Sequence, residues 1–302
     1  MKEPLTSSKS LGESLDLTFT LSKKYFSSFI VILLVLIGPI YALQAIVQLL
    51  FGVNFFRELG EGSNWIDQIA SSFEVEMEPT ASLPIDNWLL VLGIASFVLY
   101  PVAQAAIILA INYIRKKETF TVKGVIKEAF ALFWNILGGS ILYFLIVIGF
   151  IFVPSILLVF IVIFSMTFDT VFSIILSILV GVGFLIATIY FLTRWSFFLG
   201  SIVLDDTTPG LGRSWTLTKR RVWATIVFYV ILMVILGIIV FALEALFGAL
   251  LGNSVLFNLI RNVVTLVTTL FFSVGYTVKF LDLRVRQGAE DLKEMIEEYE
   301  PK

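Results

Sequence analysis

The sequence predicts an all-α polytopic membrane protein, a helical bundle of about six transmembrane helices with amphipathic helices lying on one membrane surface. Three observations predict it. Six apolar stretches, at about 27–51, 88–114, 135–165, 171–193, 222–249 and 256–282, reach the roughly 20 residues a helix needs to cross a bilayer core. Hydrophobic residues make up 58% of the chain and charged ones only 15%, against about 25% in a soluble domain, so most of the mass belongs in lipid. The basic residues gather beside alternate ends of the stretches, as in a chain that crosses repeatedly.

The first stretch, from Phe26 onward, exceeds the roughly 7–15 residues of a signal-peptide core, and it is expected to stay as the first span. The loop after it, 52–87, carries Glu58, Glu61, Asp67, Glu74, Glu76, Glu78 and Asp86 with the single basic residue Arg57. Lys23, Lys24, the run Arg115-Lys116-Lys117, Lys123, Lys127, Arg213, the run Lys219-Arg220-Arg221, Lys279, Arg284 and Arg286 fall at the other ends of the spans. The positive-inside rule makes those ends cytoplasmic, so both termini are expected inside a plasma membrane. In the second span, Gln104 and Asn112 are eight apart and share a face suited to hydrogen bonding between helices. In the fifth, Glu244 lies about 34 Å beyond Arg221 at 1.5 Å per residue. Arg261 lies about one turn into the sixth, and the short turn at 250–255 makes these two helices antiparallel neighbours. Glu244 and Arg261 are therefore a candidate intramembrane pair. The tail 289–300 sets Glu290, Asp291, Glu294, Glu297 and Glu298 around Leu292, Met295 and Ile296, and reads as a solvated or partner-binding cytoplasmic helix after a break at Gly288.

The segments 17–38, 125–149 and 212–237 each run from an amphipathic lead through aromatic residues into an apolar helix that ends near a Gly. Each is followed by a second span. The second spans end alike, with Tyr113 and Arg115, Tyr190 and Arg194, and Phe280 and Arg284 placed where rings and cations favour an interface. The chain thus reads as one integral membrane domain, 1–302, with repeat units at about 10–114, 121–193 and 208–284, an acidic external loop, and a cytoplasmic tail at 285–302. In the third lead, Thr208 is expected to N-cap and Pro209 to take the first helical position. Leu211, Trp215, Thr218 and Val222 then share one face opposite Arg213, Thr216 and Arg220. In the second, Val125, Ala129, Leu132 and Phe133 oppose Lys123 and Lys127. Such helices lie in the headgroup plane.

Cysteine and histidine are absent, which removes disulfides, thiolate nucleophiles, imidazole bases and the usual zinc and haem ligand sets. No cofactor, metal or nucleic-acid partner is expected, and no catalytic constellation stands out, so the chain reads as a non-enzyme. Glu74, Glu76 and Glu78 have oxygens that suit a hard cation but read better as a solvated loop. Trp65, Ile69 and Phe73 would rest that loop on the outer leaflet. The stretch from Asp205 to Arg213 suggests a phosphate cradle at a helix start, yet its two carboxylates would repel phosphate.

The run Arg194-Trp195 with Phe197, then Ile202-Val203-Leu204-Asp205, then Arg213-Ser214-Trp215-Thr216-Leu217-Thr218-Lys219 with Trp223 resembles the membrane region attached to some glycerophosphodiester phosphodiesterases and its stand-alone bacterial relatives. The ending Phe280-Leu281-Asp282-Leu283-Arg284-Val285-Arg286-Gln287-Gly288 with Asp291-Leu292 is similar to the close of that family. The sequence departs from the family pattern at Gly200-Ser201, at Asp205 where Glu is usual, and at Arg220 or Arg221 where Gly is frequent. The resemblance implies a multi-span helical module without the catalytic barrel of those phosphodiesterases, for which six spans leave no room.

The leading functional expectation is an accessory or scaffold protein that contacts membrane lipids, anionic ones in particular. Arg194, Arg213, Trp215, Lys219, Arg220, Arg221, Arg284 and Arg286 are the candidate headgroup-binding residues. A transporter or exporter of a lipid-like or amphipathic solute is the alternative. A membrane-embedded lipid hydrolase is a third reading, and its only plausible acids are Asp205, Asp206 and Asp282.

Overall fold

The computed structural model describes residues 8–57, 83–165, 170–252 and 254–299, and among them every regular element is a helix. These are α1 (Leu11–Lys24), α2 (Phe26–Leu36), α3 (Gly38–Leu50), α4 (Leu83–Lys116), α5 (Val122–Ala131), α6 (Phe133–Ser165), α7 (Thr170–Trp195), α8 (Phe198–Asp205), α9 (Leu211–Thr218), α10 (Val222–Leu251) and α11 (Val255–Tyr299). Five of them, α4, α6, α7, α10 and α11, are long and apolar enough to cross a membrane. The crossing predicted at 27–51 is two helices. Pro39 has no N–H to donate into α2 and sits instead in the first turn of α3. The N–H groups of Ile40 and Tyr41 both return to the Ile37 carbonyl, so the chain continues almost unbroken, and Phe26–Leu50 at about 37 Å suffices for a span. We therefore count α2 and α3 together as one crossing. α1 does not belong to it, because α1 and α2 are bent by 74° at Tyr25 and α1 ends on Lys23 and Lys24.

α4 is the centre of the bundle. From Val102 to Ile111 its side chains are buried nearly all round, and Ala103, Ala105, Ala106 and Ala110 let neighbouring backbones approach closely. α2, α3, α6, α8 and α11 pack against it. α6 and α7 form an outlying hairpin that leaves large apolar side chains such as Phe152, Phe160, Ile178 and Leu179 exposed, as lipid-facing helices do.

Three short helices turn a corner into a span, α1 into α2, α5 into α6 and α9 into α10. Four and eight residues before each span begins, the side chain is buried: Ser22 and Thr18, Ala129 and Val125, Thr218 and Ser214. α1 is held by a capping box, with the Ser10 N–H donating to Glu13 at 2.7 Å and the Glu13 N–H donating to the Ser10 hydroxyl at 3.3 Å. It lies along α11, where Gly275 makes room: a β-carbon there would meet Leu232 at 2.7 Å and Thr18 at 3.3 Å.

Several sequence expectations are corrected. Gly210, with φ of 79°, caps α9, and Thr208 and Pro209 precede the helix. The buried edge of α9 is Ser214, Leu217 and Thr218, so this helix docks on the bundle through one leucine and two small polar groups and leaves Leu211 and Trp215 half-buried. α11 runs through Gly288 to Tyr299 without a break. The loop residues Trp65, Ile69, Phe73, Glu74, Glu76 and Glu78, and the side chains of the tail from Glu290 onward, lie outside the described residues.

Candidate functional site

The basic ends of the spans converge on two carboxylates. Asp205 closes α8, a short buried helix that the sequence reading did not anticipate. The next residue, Asp206, ends that helix in a left-handed conformation, with its N–H donating to the Ser201 carbonyl. The Asp205 side chain is 8% exposed and joins Arg213 of α9 at 3.0 Å and Arg284 of α11 at 2.9 Å, whose own side chains are 30% and 33% exposed. Arg115, at the end of α4, lies within electrostatic reach of both Asp205 and Arg284. One buried carboxylate thus orders arginines from two helices while a third stands close by, and the group carries a net positive charge.

The second centre is Asp282 on α11, almost fully buried. One carboxylate oxygen accepts from the Arg286 guanidinium at 3.0 Å and from the Lys9 backbone N–H at 2.8 Å, and the other faces the Lys279 ammonium at 3.3 Å. Arg286 also donates to the Lys9 carbonyl. The chain just ahead of α1 is therefore clasped by α11, and Arg286 acts here as a fastener of that chain.

Arg194 is likewise internal. Its guanidinium lies 3.8 Å from the centre of the Trp215 ring and donates to the Trp215 carbonyl at 2.9 Å. This stack accounts for Trp215, because a cation over an indole gains from the ring quadrupole. Beneath it, the Ser214 hydroxyl accepts from the Phe197 N–H at 3.0 Å and donates to the Arg194 carbonyl at 2.7 Å, bridging the break between α7 and α8. Lys219, Arg220 and Arg221 are exposed where α9 turns into α10. Of the eight residues predicted for headgroups, Arg213 and Arg284 thus share one cluster, Lys219, Arg220 and Arg221 form the adjoining corner, and Arg194, Trp215 and Arg286 hold the fold.

At the other end of the bundle, Arg261 and Glu244 meet at 3.2 Å with side chains 56% and 36% exposed. Gln104 lines a small cavity with Thr268, Thr269 and Ser273 of α11, whereas the buried Asn112 carbonyl oxygen has no hydrogen-bond partner. The proposed phosphate cradle closes on itself. A β-carbon on Gly210 would meet the Phe198 carbonyl oxygen at 2.3 Å, and Asp205 is paired to Arg213. Among the described residues no group of three or more carboxylates could hold a metal ion.

Sequence reading missed Arg115 as a neighbour of Asp205, because the two are ninety positions apart, and it missed the role of Lys9. It also missed Gln44, Gln48, Asn258 and Asn262, although their spacing by four in each helix was a visible signal.

No curated protein and no solved structure matches this chain. Residues 85–287 match a family described as the membrane domain of glycerophosphoryl diester phosphodiesterase. The match reaches back to the start of α4, well beyond the last third that carries the resemblance, and it includes both carboxylate centres. This multi-pass integral membrane protein belongs to the family of the membrane domain of glycerophosphoryl diester phosphodiesterase.

Proposed function

We propose that the protein is a non-enzymatic accessory or scaffold of the plasma membrane that holds anionic lipid headgroups against its basic end, with both termini in the cytoplasm. The observation that carries this reading is the sharing of Asp205 by Arg213 and Arg284. Each guanidinium is oriented by a buried carboxylate and remains about one-third exposed. Arginine in a fixed orientation suits bidentate contact with phosphate, and the surplus positive charge favours an anion. Lys219 and Arg221 extend the cationic surface, each basic residue near an anionic leaflet contributing about 1 kcal/mol.

The non-enzymatic reading is supported by the state of the acids. Asp205 and Asp282 are each nearly buried and each held by two cations, so neither carboxylate is free to reach a substrate as a nucleophile or a base. The three corners, with their buried residues at matching positions, support reading the bundle as three copies of one lead-and-hairpin unit.

Native mass spectrometry of the full-length protein released from nanodiscs tests the headgroup reading. Wild type is expected to carry phosphatidylglycerol in preference to phosphatidylcholine, and Arg213→Ala/Arg220→Ala/Arg221→Ala to lose that preference. A Lys219→Ala/Arg221→Ala variant, which leaves the Asp205 cluster intact, should lose part of it. Equal, unselective lipid retention in all three proteins would reduce these helices to topological elbows.

A further inference from the structure

About 35 Å along α11 from Arg284, in the half of the bundle away from the basic end, lies a cavity of about 390 Å³. Its polar lining among the described residues is Gln44 and Gln48 of α3 with Asn258, Arg261, Asn262 and Thr265 of α11. α3 and α11 run antiparallel here, and their carboxamides meet in two rungs one turn apart. Asn258 donates to Gln48 at 3.3 Å and Asn262 to Gln44 at 3.5 Å.

Carboxamides in a membrane protein commonly serve to hold helices together, and the rungs do so here. Helix adhesion alone does not call for the space beside them. The volume equals about a dozen waters at about 30 Å³ each, and it falls within the roughly 300–1,000 Å³ of small-molecule sites. Whichever amide donates in a rung, the pair keeps both unused donors and unused acceptors. Among the described residues Arg261 is the only charged one in the lining, and it is paired with Glu244 of α10 at 3.2 Å. A lining of mixed donors and acceptors without net charge matches hydroxyl groups, which donate and accept at once. It offers little to a phosphate, which needs unmatched cations, or to an ammonium group, which needs carboxylates.

The helices that form the cavity also carry exposed large hydrophobic side chains, Ile46 on α3, Leu90 on α4 and Val263 on α11, as helices in lipid do. Further along α11 lies a second cavity of about 270 Å³ with Tyr100, Gln104, Thr268, Thr269 and Ser273 in its lining, again hydroxyls and a carboxamide without a charge.

We propose that the cleft between α3, α4 and α11 binds a neutral, hydroxyl-rich group, either the sugar or polyol headgroup of an uncharged lipid or a free polyol of the same chemistry. This site is separate in place and in charge from the basic end and stands whether or not anionic lipid binds there.

The test uses the full-length protein in phosphatidylcholine nanodiscs that contain a monohexosyl diacylglycerol, read by native mass spectrometry, with calorimetric titration of methyl glucoside into the same particles. Gln44→Leu/Asn262→Leu removes one rung entirely and strands no amide, and Thr265→Val removes a single hydroxyl. Wild type is expected to retain the hexosyl lipid or to bind methyl glucoside. The rung variant should weaken that binding about tenfold, the size expected for two or three lost hydrogen bonds. Thr265→Val should weaken it by a smaller factor. Retention of the lipid alone assigns the source as a headgroup, and binding of the free sugar alone assigns it as a solute. Equal binding by wild type and both variants, or no binding of either probe by wild type, would overturn the proposal. Unchanged elution and unfolding temperature of the variants separate a lost site from a lost fold.

Discussion

The two ends of this bundle solve the same problem, polar groups in a membrane protein, with opposite chemistry. At the basic end, two nearly buried carboxylates each gather two cations and tie together elements distant in sequence: Asp205 joins α8, α9 and α11, and Asp282 joins α11 to the chain ahead of α1. In the opposite half, amide–amide rungs between α3 and α11 face open space. Charged clusters resist disruption because a stranded buried charge is expensive. Amide pairs are cheaper to remove, since membrane side-chain hydrogen bonds average only about 0.6 kcal/mol. The basic end is where the fold is fastened, and the far cleft is where polarity is retained beyond structural need.

The largest effect should come from Asp282→Ala, which strands Lys279, releases Arg286 and frees Lys9. A loss of about 3–5 kcal/mol is expected, the usual result of removing one member of a buried ion pair, and equilibrium unfolding in mixed micelles measures it. Asp205→Ala should cost about 1–2 kcal/mol by the same assay, less because Arg213 and Arg284 are partly exposed and solvent screens their stranded charges. If the two substitutions proved equally mild, the fastening role of the basic end would fail. Gln44→Leu/Asn262→Leu should change stability by less than about 1 kcal/mol in either direction, because both partners leave together. Glu244→Gln should change it least, by about 0.5 kcal/mol or less, the pair with Arg261 being largely exposed. Salt sharpens the contrast independently. Raising ionic strength from about 0.05 M to about 0.5 M should weaken phosphatidylglycerol retention at the basic end and leave hexosyl-lipid retention unchanged, since only the former depends on screened charge.

Span number and the all-helical class were legible in the sequence because the bilayer imposes a length and a polarity that few other environments demand. The contact between Glu244 and Arg261 was legible for a similar reason, a short turn between two antiparallel helices fixing their depth. The break at Ile37 was readable in principle from Gly38-Pro39, but the apolar run on both sides hides it. α8 was not legible. Its residues, Phe198 to Asp205, continue the hydropathy of α7, and only tertiary contacts show that the chain turns there, with Ser214 supplying the hydrogen bonds the break removes. Arg194 and Arg286 look like headgroup ligands in any linear reading, because a cation beside a span end favours the interface on average. Their partners, the Trp215 ring and the Lys9 backbone, come from elsewhere in the chain and turn them inward. The paired positions Ser22 and Thr18, Ala129 and Val125, and Thr218 and Ser214 were hidden for a different reason. Burial at these corners selects for modest size, which serine, alanine, threonine and valine all satisfy.

If the Asp205 cluster holds anionic headgroups, removing its ion pairs must remove the lipid preference. Asp205→Asn/Arg213→Gln/Arg284→Gln tests this, because it removes the shared carboxylate together with both of its ion-pair partners and leaves Arg115 as the remaining cation of the cluster. Native mass spectrometry from nanodiscs of equal phosphatidylglycerol and phosphatidylcholine, at low salt, should show a clear phosphatidylglycerol preference for wild type and its loss in the triple variant at unchanged stability. A variant that keeps the preference of the wild type would contradict the account.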